Sequence, residues 1–577
     1  MLSKFEIRLL DLLPSTTSYS DNALIRCQSR VVPLSANEPF EAFSYVWGTN
    51  PVLTKICIDG NDVLVTSSLA AALRRARLPD TTRVIWVDQL SINQLDVQEM
   101  ANQVPLMSHI YTKTTQCLIW LGEMKPDISL SDAQSALDLI RHLSDPDKNE
   151  ISDPSLRKNL HGSVRALDSI NMSENEWWTR TWTLQESVLP SKACVLWGPL
   201  TIQWETLTSA GSNWVSSPHD PVLNPYIDNL NNMFTQTNGI LFTKQQSSGG
   251  PLDTAFRWGY RRVTNPLDKV YGLLGLFPTD GFTRVQKCDY QLQPATVYAM
   301  FTVDLIEHYE NLHPLALKFF QRPGARTPGL PSWSLDLGDG IGKKDEVIVD
   351  GDNHIWYMKN TYDCYVACGK TEVNSTRLQY DQNSNTLKLT GILIADIAVA
   401  VPQPTEDVPG TSNITCAGVT QLVQEWYRIA EDFYTNPEWH HLSWQASFWR
   451  GLLGNLRLDE DNWPDDTWAT EDDVALAQRF VESGERNSIC HSLFASVSHR
   501  KMVITATGLL GFGPHDAEVG DQVWILHGGH MPFVLRAKDG LPRPTNEYIL
   551  IGASYVHEIM DGAAADLAKS SCEIVLS

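Results

Sequence analysis

The chain has 577 residues, 42% of them hydrophobic and 20% charged, which is the balance of a globular protein of about two to four domains. A net charge of -23 argues against nucleic-acid and anionic-membrane partners, because both need basic surface. No apolar run reaches the length of a membrane span, the charged N-terminal stretch is no signal peptide, and ten scattered Cys fit reduced thiols, so a cytoplasmic protein is expected.

Strands and helices alternate through the first third. Phe40 to Trp47 reads as a strand ending at Gly48. Lys55 to Ile58 and Asp62 to Val65 flank Gly60-Asn61 as a hairpin. Thr66 or Ser67 caps a helix carrying Leu69, Leu73 and Ala76 on one face, with Pro79 as its stop. Arg83 to Asp88 is apolar on both faces, as in a buried parallel strand. Asp96 to Thr112 has helical spacing, and Pro105 should kink it. Gln116 to Leu121 is another buried strand, and a helix follows around Ser131 to Leu143. Ser173 and Glu176 form a capping-box pattern, so a helix is expected from Glu174 to Pro190 with Trp178, Trp182, Gln185 and Leu189 as a stripe and Glu186 at its edge. Ala193 to Trp197 completes an α/β sheet covered by helices on both faces.

Beyond it, residues 200 to 320 read mainly helical, including Leu267 to Leu276 and Val297 to His308, and the Pro/Gly-rich stretch from Pro323 to Pro331 marks a boundary. Strand-like runs then dominate: Glu346 to Val349, Cys364 to Ala367, Thr386 to Ile392, Met502 to Thr507, Gln522 to Leu526, Phe533 to Leu535 and Tyr548 to Ser554. Their spacing suggests a barrel or sandwich. The domain reading is therefore 1–200 for the α/β domain, 201–330 for a helical region and 331–577 for a β-rich domain with a helical insertion near 418–494. His440 and His441 diverge on a helix, and the other His spacings match no zinc pattern, so no metal is expected.

Open α/β sheets bind ligands beyond the carboxyl ends of their strands. Those ends here carry Tyr45-Val-Trp-Gly48 and Asp88-Gln-Leu-Ser-Ile-Asn-Gln94. Asp88 leaves a buried strand, and Ser91, Asn93 and Gln94 follow in a polar loop. Glu186 beside indoles should lose hydration and hold its proton more tightly, which suits acid–base work. A buried structural Glu paired with Arg, and an Asp88–Asn93 loop that merely caps and braces, remain open readings of the same residues.

Five blocks in order carry a resemblance: Phe43-Ser-Tyr-Val-Trp-Gly48, Trp86-Val-Asp-Gln-Leu-Ser-Ile-Asn-Gln94, Asp96 through Tyr111, Ile119-Trp-Leu-Gly122, and Arg180-Thr-Trp-Thr-Leu-Gln-Glu186. In these the chain resembles the fungal heterokaryon-incompatibility (HET) domain family. Asn265 to Leu276, Leu330 to Trp333, Gly508 to Pro514, Gly520 to Val523, Pro532 to Arg536 and Tyr555 to Gly562 resemble the usual downstream region. Ser91 stands where the family usually has Cys, Met100 where a basic residue is usual, and Glu558 where Gly is commoner; Pro105 is also unusual.

The resemblance implies a TIR-like, flavodoxin-like parallel sheet. Some TIR domains cleave NAD with a helical Glu near an aromatic residue. It implies Glu186 and Asp88 as catalytic residues, with Tyr45, Trp47, Gly48, Ser91, Asn93, Gln94, Arg180, Trp182 and Gln185 binding substrate. The expected function is an effector of fungal incompatibility or cell death that cleaves the nicotinamide–ribose bond. Two alternatives stand beside it: a small-molecule enzyme of secondary metabolism with acid–base chemistry in a Trp-lined pocket, and a non-catalytic interaction module. No Gly-x-Gly-x-x-Gly follows a strand and no Walker A segment occurs, so NAD is expected as substrate and no cofactor as tightly bound. A homo-oligomer or a partner protein in trans is compatible with the chain.

Overall fold

Short runs that are apolar on both faces build the centre of the first sheet. β3 (Glu41–Ser44), β6 (Arg83–Trp86), β7 (Gln116–Trp120) and β8 (Ala193–Trp197) lie parallel in the order β6-β3-β7-β8. Ile85, Trp86, Cys117 and Ile119 are wholly inaccessible, as strands covered on both faces must be. The computed structural model describes the chain except for residues 1, 3–4, 15–23, 49–51, 149, 246–249, 279–280, 318–325, 339–361, 370–377, 402–415, 434–442, 458–467, 498–499, 539–545, 563 and 565–569. It divides into two units, Met1–Gln291 and Leu292–Ser577.

In the first unit the expected α/β sheet is present, but it is mixed rather than wholly parallel. Its full order is β5-β4-β2-β1-β6-β3-β7-β8-β9. β1 (Glu6–Leu12) runs antiparallel to β6 and to β2 (Arg26–Pro33). β4 (Leu53–Ile58) and β5 (Asn61–Thr66) form the hairpin, turned through Asp59 and Gly60, both at positive φ. Positive φ at both turn residues suits the right-handed twist of the strands. β9 (Leu200–Gln203) closes the far edge antiparallel to β8.

The helices follow the local rules. Thr66 caps α1 (Ser67–Ala76) by accepting from the Leu69 amide. A short turn, α2 (Asp88–Ser91), opens where β6 ends. Pro105 splits the next stretch into α3 (Val97–Gln103), a 3-10 turn and α4 (Met107–Lys113). After α5 (Leu130–Leu143), α6 (Pro154–Lys158) and α7 (Leu160–Asp168) comes the Trp-rich segment. It is not one helix. Asn175, not Ser173, caps a 3-10 turn over Glu176–Thr179, Arg180 is extended, and α8 spans only Trp182–Val188. The break has a distant cause: the Arg262 amide donates to Thr179 O at 2.5 Å and the Thr181 amide to Arg262 O at 3.1 Å, a parallel bridge that straightens Arg180. α9 (Trp204–Ser216), α10 (Ile227–Gln245), α11 (Gly250–Arg257) and α12 (Asp268–Leu274) complete this unit.

In the second unit, α13 (Pro294–Tyr309) and α14 (His313–Ala316) precede the strands. β10 (Gln379–Asp381) pairs with β11 (Thr386–Ala400), a strand of 15 residues. β14 (Gln522–Leu526), β15 (Phe533–Ala537), β16 (Glu547–Ala553) and β18 (Cys572–Leu576) follow one another, and β11 pairs with both β18 and β14. Those pairings close a five-stranded ring, which removes free strand edges. Irregularities between Leu393 and Ala395 and between Ile397 and Val399 let β11 leave the ring and continue into β12 (Arg500–Thr505), β13 (Leu510–Pro514) and β17 (Tyr555–Val556). Helices α15 (Cys416–Phe433), α16 (Trp444–Leu452), α17 (Glu471–Ser483) and α18 (Cys490–Val497) pack through Trp426 and Phe448 on Met502, Leu510 and Phe512. Cys364 to Ala367 is turn and irregular backbone rather than strand. Glu346 to Val349, His440 and His441 lie outside the described residues. Among the described residues no helix is long and apolar enough to cross a membrane, and the cysteines are free.

Candidate functional site

The carboxyl ends of β3 and β6 and the first turns of α8 and α12 bring charged and aromatic groups together. Ser44 ends β3, and its hydroxyl donates to Glu186 Oε2. The Trp177 indole donates to Ser44 Oγ at 2.7 Å. Glu186 is 6% exposed, and Ser44 and Trp177 are wholly buried. The indole beside the acid is thus Trp177; Trp178 turns away and donates to Ile170 O at 2.7 Å, so the expected Trp178–Trp182–Gln185 stripe does not form. Trp177, Trp178 and Trp204 pack ring against ring at 4.9 to 6.1 Å, which fixes the 3-10 turn.

Burial raises the proton affinity of Glu186 from the ordinary 4.5 to about 7. Arg180, the Ser44 hydroxyl and Arg261 pull it down, while the charge of Asp88 pushes it up. Glu186 and Asp88 therefore sense each other. Among the described residues neither forms an ion pair; Arg180 acts on both across space. Asp88 is half-buried, with Oδ2 accepting from the Trp47 indole at 3.0 Å and Oδ1 from the Gln89 amide at 2.7 Å. Burial raises its pKa, and Arg180, the Gln89 amide, Trp47 and Tyr45 offset this only in part. The Tyr45 hydroxyl donates to Gln89 Oε1 at 3.0 Å, and Arg180 Nη1 donates to Tyr45 O at 2.8 Å. Exposed Gly48, at positive φ, has open space where a Cβ would stand.

The loop after β6 braces itself. Ser91 is wholly buried, and its Oγ accepts from the Val87 amide at 3.2 Å. Asn93 donates its amide to Glu99 Oε1 at 2.9 Å and accepts from the Leu95 amide at 3.2 Å. Gln94 Nε2 donates to Asp88 O at 3.1 Å. Glu99, in turn, accepts from Arg8 at 3.2 Å, so β1 helps hold this loop. Gln185 Nε2 donates to Gly272 O at 2.9 Å, toward α12 and away from this loop. The structure thus gathers Tyr45, Trp47, Asp88, Arg180, Trp182 and Glu186, and sets Ser91, Asn93, Gln94 and Gln185 to holding backbone.

Sequence reading passed over four members. Ser44 sits inside the Phe43–Gly48 block, and a small hydroxyl at a strand's carboxyl end was its only signal. Asp268, in the first turn of α12, accepts from the Tyr290 hydroxyl at 2.6 Å, and the Trp182 indole and Arg180 favour its ionised form. Tyr290 had no sequence signal. Arg261 is wholly buried, donates to Arg180 O and Thr183 Oγ1, and stacks over the Trp258 ring at 4.5 Å. Among the described residues no three His, Cys, Asp or Glu side chains converge as a metal site. Two hollows in this unit, one apolar between Leu121, Leu137 and Trp197 and one beside His142 and His219, include none of these side chains.

A tunable acid, a second carboxylate and an arginine at a parallel-strand edge make a site suited to polar bond cleavage. Residues 40–186 match the family model described as Heterokaryon incompatibility protein (HET), and residues 440–572 match the Het-6 beta-barrel domain. The chain thus carries one segment that matches the HET family and a second that matches the Het-6 barrel. It is 25% identical to Heterokaryon incompatibility protein 6, OR allele, of Neurospora crassa over 672 aligned residues, which cover 98% of this chain and 95% of that relative. No solved structure matches the chain.

Proposed function

We propose that the protein acts in fungal heterokaryon incompatibility, in the cytoplasm, by hydrolysing the nicotinamide–ribose bond of NAD at Glu186. The incompatibility role rests on similarity along nearly the whole length of the Neurospora relative. One observation carries the chemistry: a buried carboxyl whose proton affinity is lifted to about 7, within the field of Arg180 and Asp88 at the sheet's carboxyl edge. Such a group changes charge at working pH. In the reaction the C1′–N bond breaks and its electron pair goes to the nicotinamide nitrogen, leaving neutral nicotinamide and an oxocarbenium ion on ribose. Ionised Glu186 stabilises that cation. Water adds at C1′ and its proton passes to a carboxylate, Glu186 or Asp88, and then to solvent. Trp47 or Trp182 offers a face for the nicotinamide ring.

The test is nicotinamide release by the purified full chain. Glu186→Gln is expected to lower it by about 10² or more with the fold retained. A variant as active as wild type would remove Glu186 from the mechanism. A second reading makes Glu186 a structural acid, and its 6% exposure favours that reading. No release from wild type, together with loss of folding in Glu186→Gln, would decide for it.

A further inference from the structure

The matched HET segment ends at Glu186, yet the same unit continues to Gln291 and returns to the site through α12. Asp268, Gly272 and Gly275 share one face of that stretch, spaced four and three residues apart. A Cβ at Gly272 would come within 2.9 Å of Thr181 Cγ2, and one at Gly275 within 2.4 Å of Gln185 Oε1 and 2.6 Å of Ser108 Cβ. α8 therefore lies against α12 with no room for a side chain between them, and Gln185 ties the two by its bond to Gly272 O. The same Cβ at Gly272 would stand 3.7 Å from Trp182 Cδ2, and one turn earlier the Trp182 indole and Arg180 both favour ionised Asp268. Its carboxylate is anchored from the other side by Tyr290, whose ring packs edge-on to Tyr271 at 5.3 Å. The Tyr271 hydroxyl donates to Asp289 O at 3.0 Å, so the 289–290 segment is itself fastened to α12.

We propose that Asp268, held by Tyr290, is a positioning residue that fixes the Trp182 indole and the setting of Arg180 beside Glu186. This deepens the reading of Glu186 as the reactive acid and rests on it. Arg180 serves three carboxylates, Asp88, Glu186 and Asp268, and none is in ion-pair contact with it. Asp268 thereby helps decide how much of the arginine's charge Glu186 feels. The titratable groups around Asp268 are Arg180, Tyr271, Cys288, Asp289 and Tyr290.

The full chain labelled with 5-fluorotryptophan tests this, with Trp182→Phe identifying the Trp182 fluorine signal. Asp268→Asn keeps an acceptor and removes the charge; Tyr290→Phe removes the anchoring hydroxyl. Both should move the Trp182 signal while circular dichroism and the remaining indole signals stay. Asp268→Asn should also cut the rate of nicotinamide release about tenfold or more. An unmoved Trp182 signal in both variants overturns the proposal. Should wild type release no nicotinamide, the fluorine signal still decides the role of Asp268, and only the NAD reading falls. If Asp268→Asn does not fold, Tyr290→Phe carries the same comparison.

Discussion

At the scale of single residues, Glu186 sets a conflict between stability and chemistry. The native carboxyl keeps its proton to about 7, whereas an unfolded glutamate loses it near 4.5. Between those values the native state binds more protons, so this group's contribution to stability falls as pH rises from 4.5 to 7 and is constant above. The full cost of ionising it in place is on the order of 3 kcal/mol. Glu186→Gln should flatten that slope: its thermal midpoint should drop less between pH 5 and pH 8 than that of wild type. Equal slopes would mean that Glu186 titrates normally. Ser44 acts in the opposite sense, because its hydroxyl favours the ionised acid. Ser44→Ala should raise the Glu186 midpoint further and leave the buried Trp177 N–H unpaired, a loss of about 1–3 kcal/mol seen in chemical denaturation.

Among elements, what the sequence disclosed was local. The buried strands around Ile85, Ile119 and Val195 announce themselves as short apolar runs, and Pro105 and the Gly60-Asn61 pattern mark breaks that need no distant partner, although the turn itself falls one residue earlier, at Asp59-Gly60. The helix expected from Glu174 failed for the converse reason. Its capping pattern was plausible, but Asn175 took the cap and a strand-like bridge from Arg262 straightened Arg180. β1 and β2 escaped notice because their alternation is half polar, with Arg8 and Asp11 facing partners far along the chain. Asp268 was legible only as the first turn of a helix; its meeting with Trp182 depends on the α8–α12 contact. Packing of this closeness is testable away from the site. At Gly211 in α9 a Cβ would meet Thr237 Oγ1 at 2.1 Å and Phe234 O at 2.7 Å. Gly211→Ala should therefore loosen α9 from α10 and cost about 1–3 kcal/mol, with the Glu186 titration unmoved. A shifted titration would show the two regions to be coupled.

Over the whole molecule, charge is the dominant property the sequence imposes. A net -23 repels itself, and added salt screens that repulsion. Raising ionic strength from about 0.01 to 0.15 M should lift the thermal midpoint at pH 7; a fall would mean that ion pairs such as Arg83–Glu41 and Arg536–Asp521 outweigh the net charge. At the site the local balance differs: burial lifts the proton affinity of Glu186, and Arg180 is the strongest influence pulling it back. The measurement that tests this most directly is the infrared titration of the protonated-carboxyl band, taken as wild type minus Glu186→Gln. The difference band should disappear with a midpoint near 7, the value to which burial lifts the acid. A midpoint near 4.5 would contradict the account, because Glu186 would then be an ordinary carboxylate whose ionisation burial does not govern.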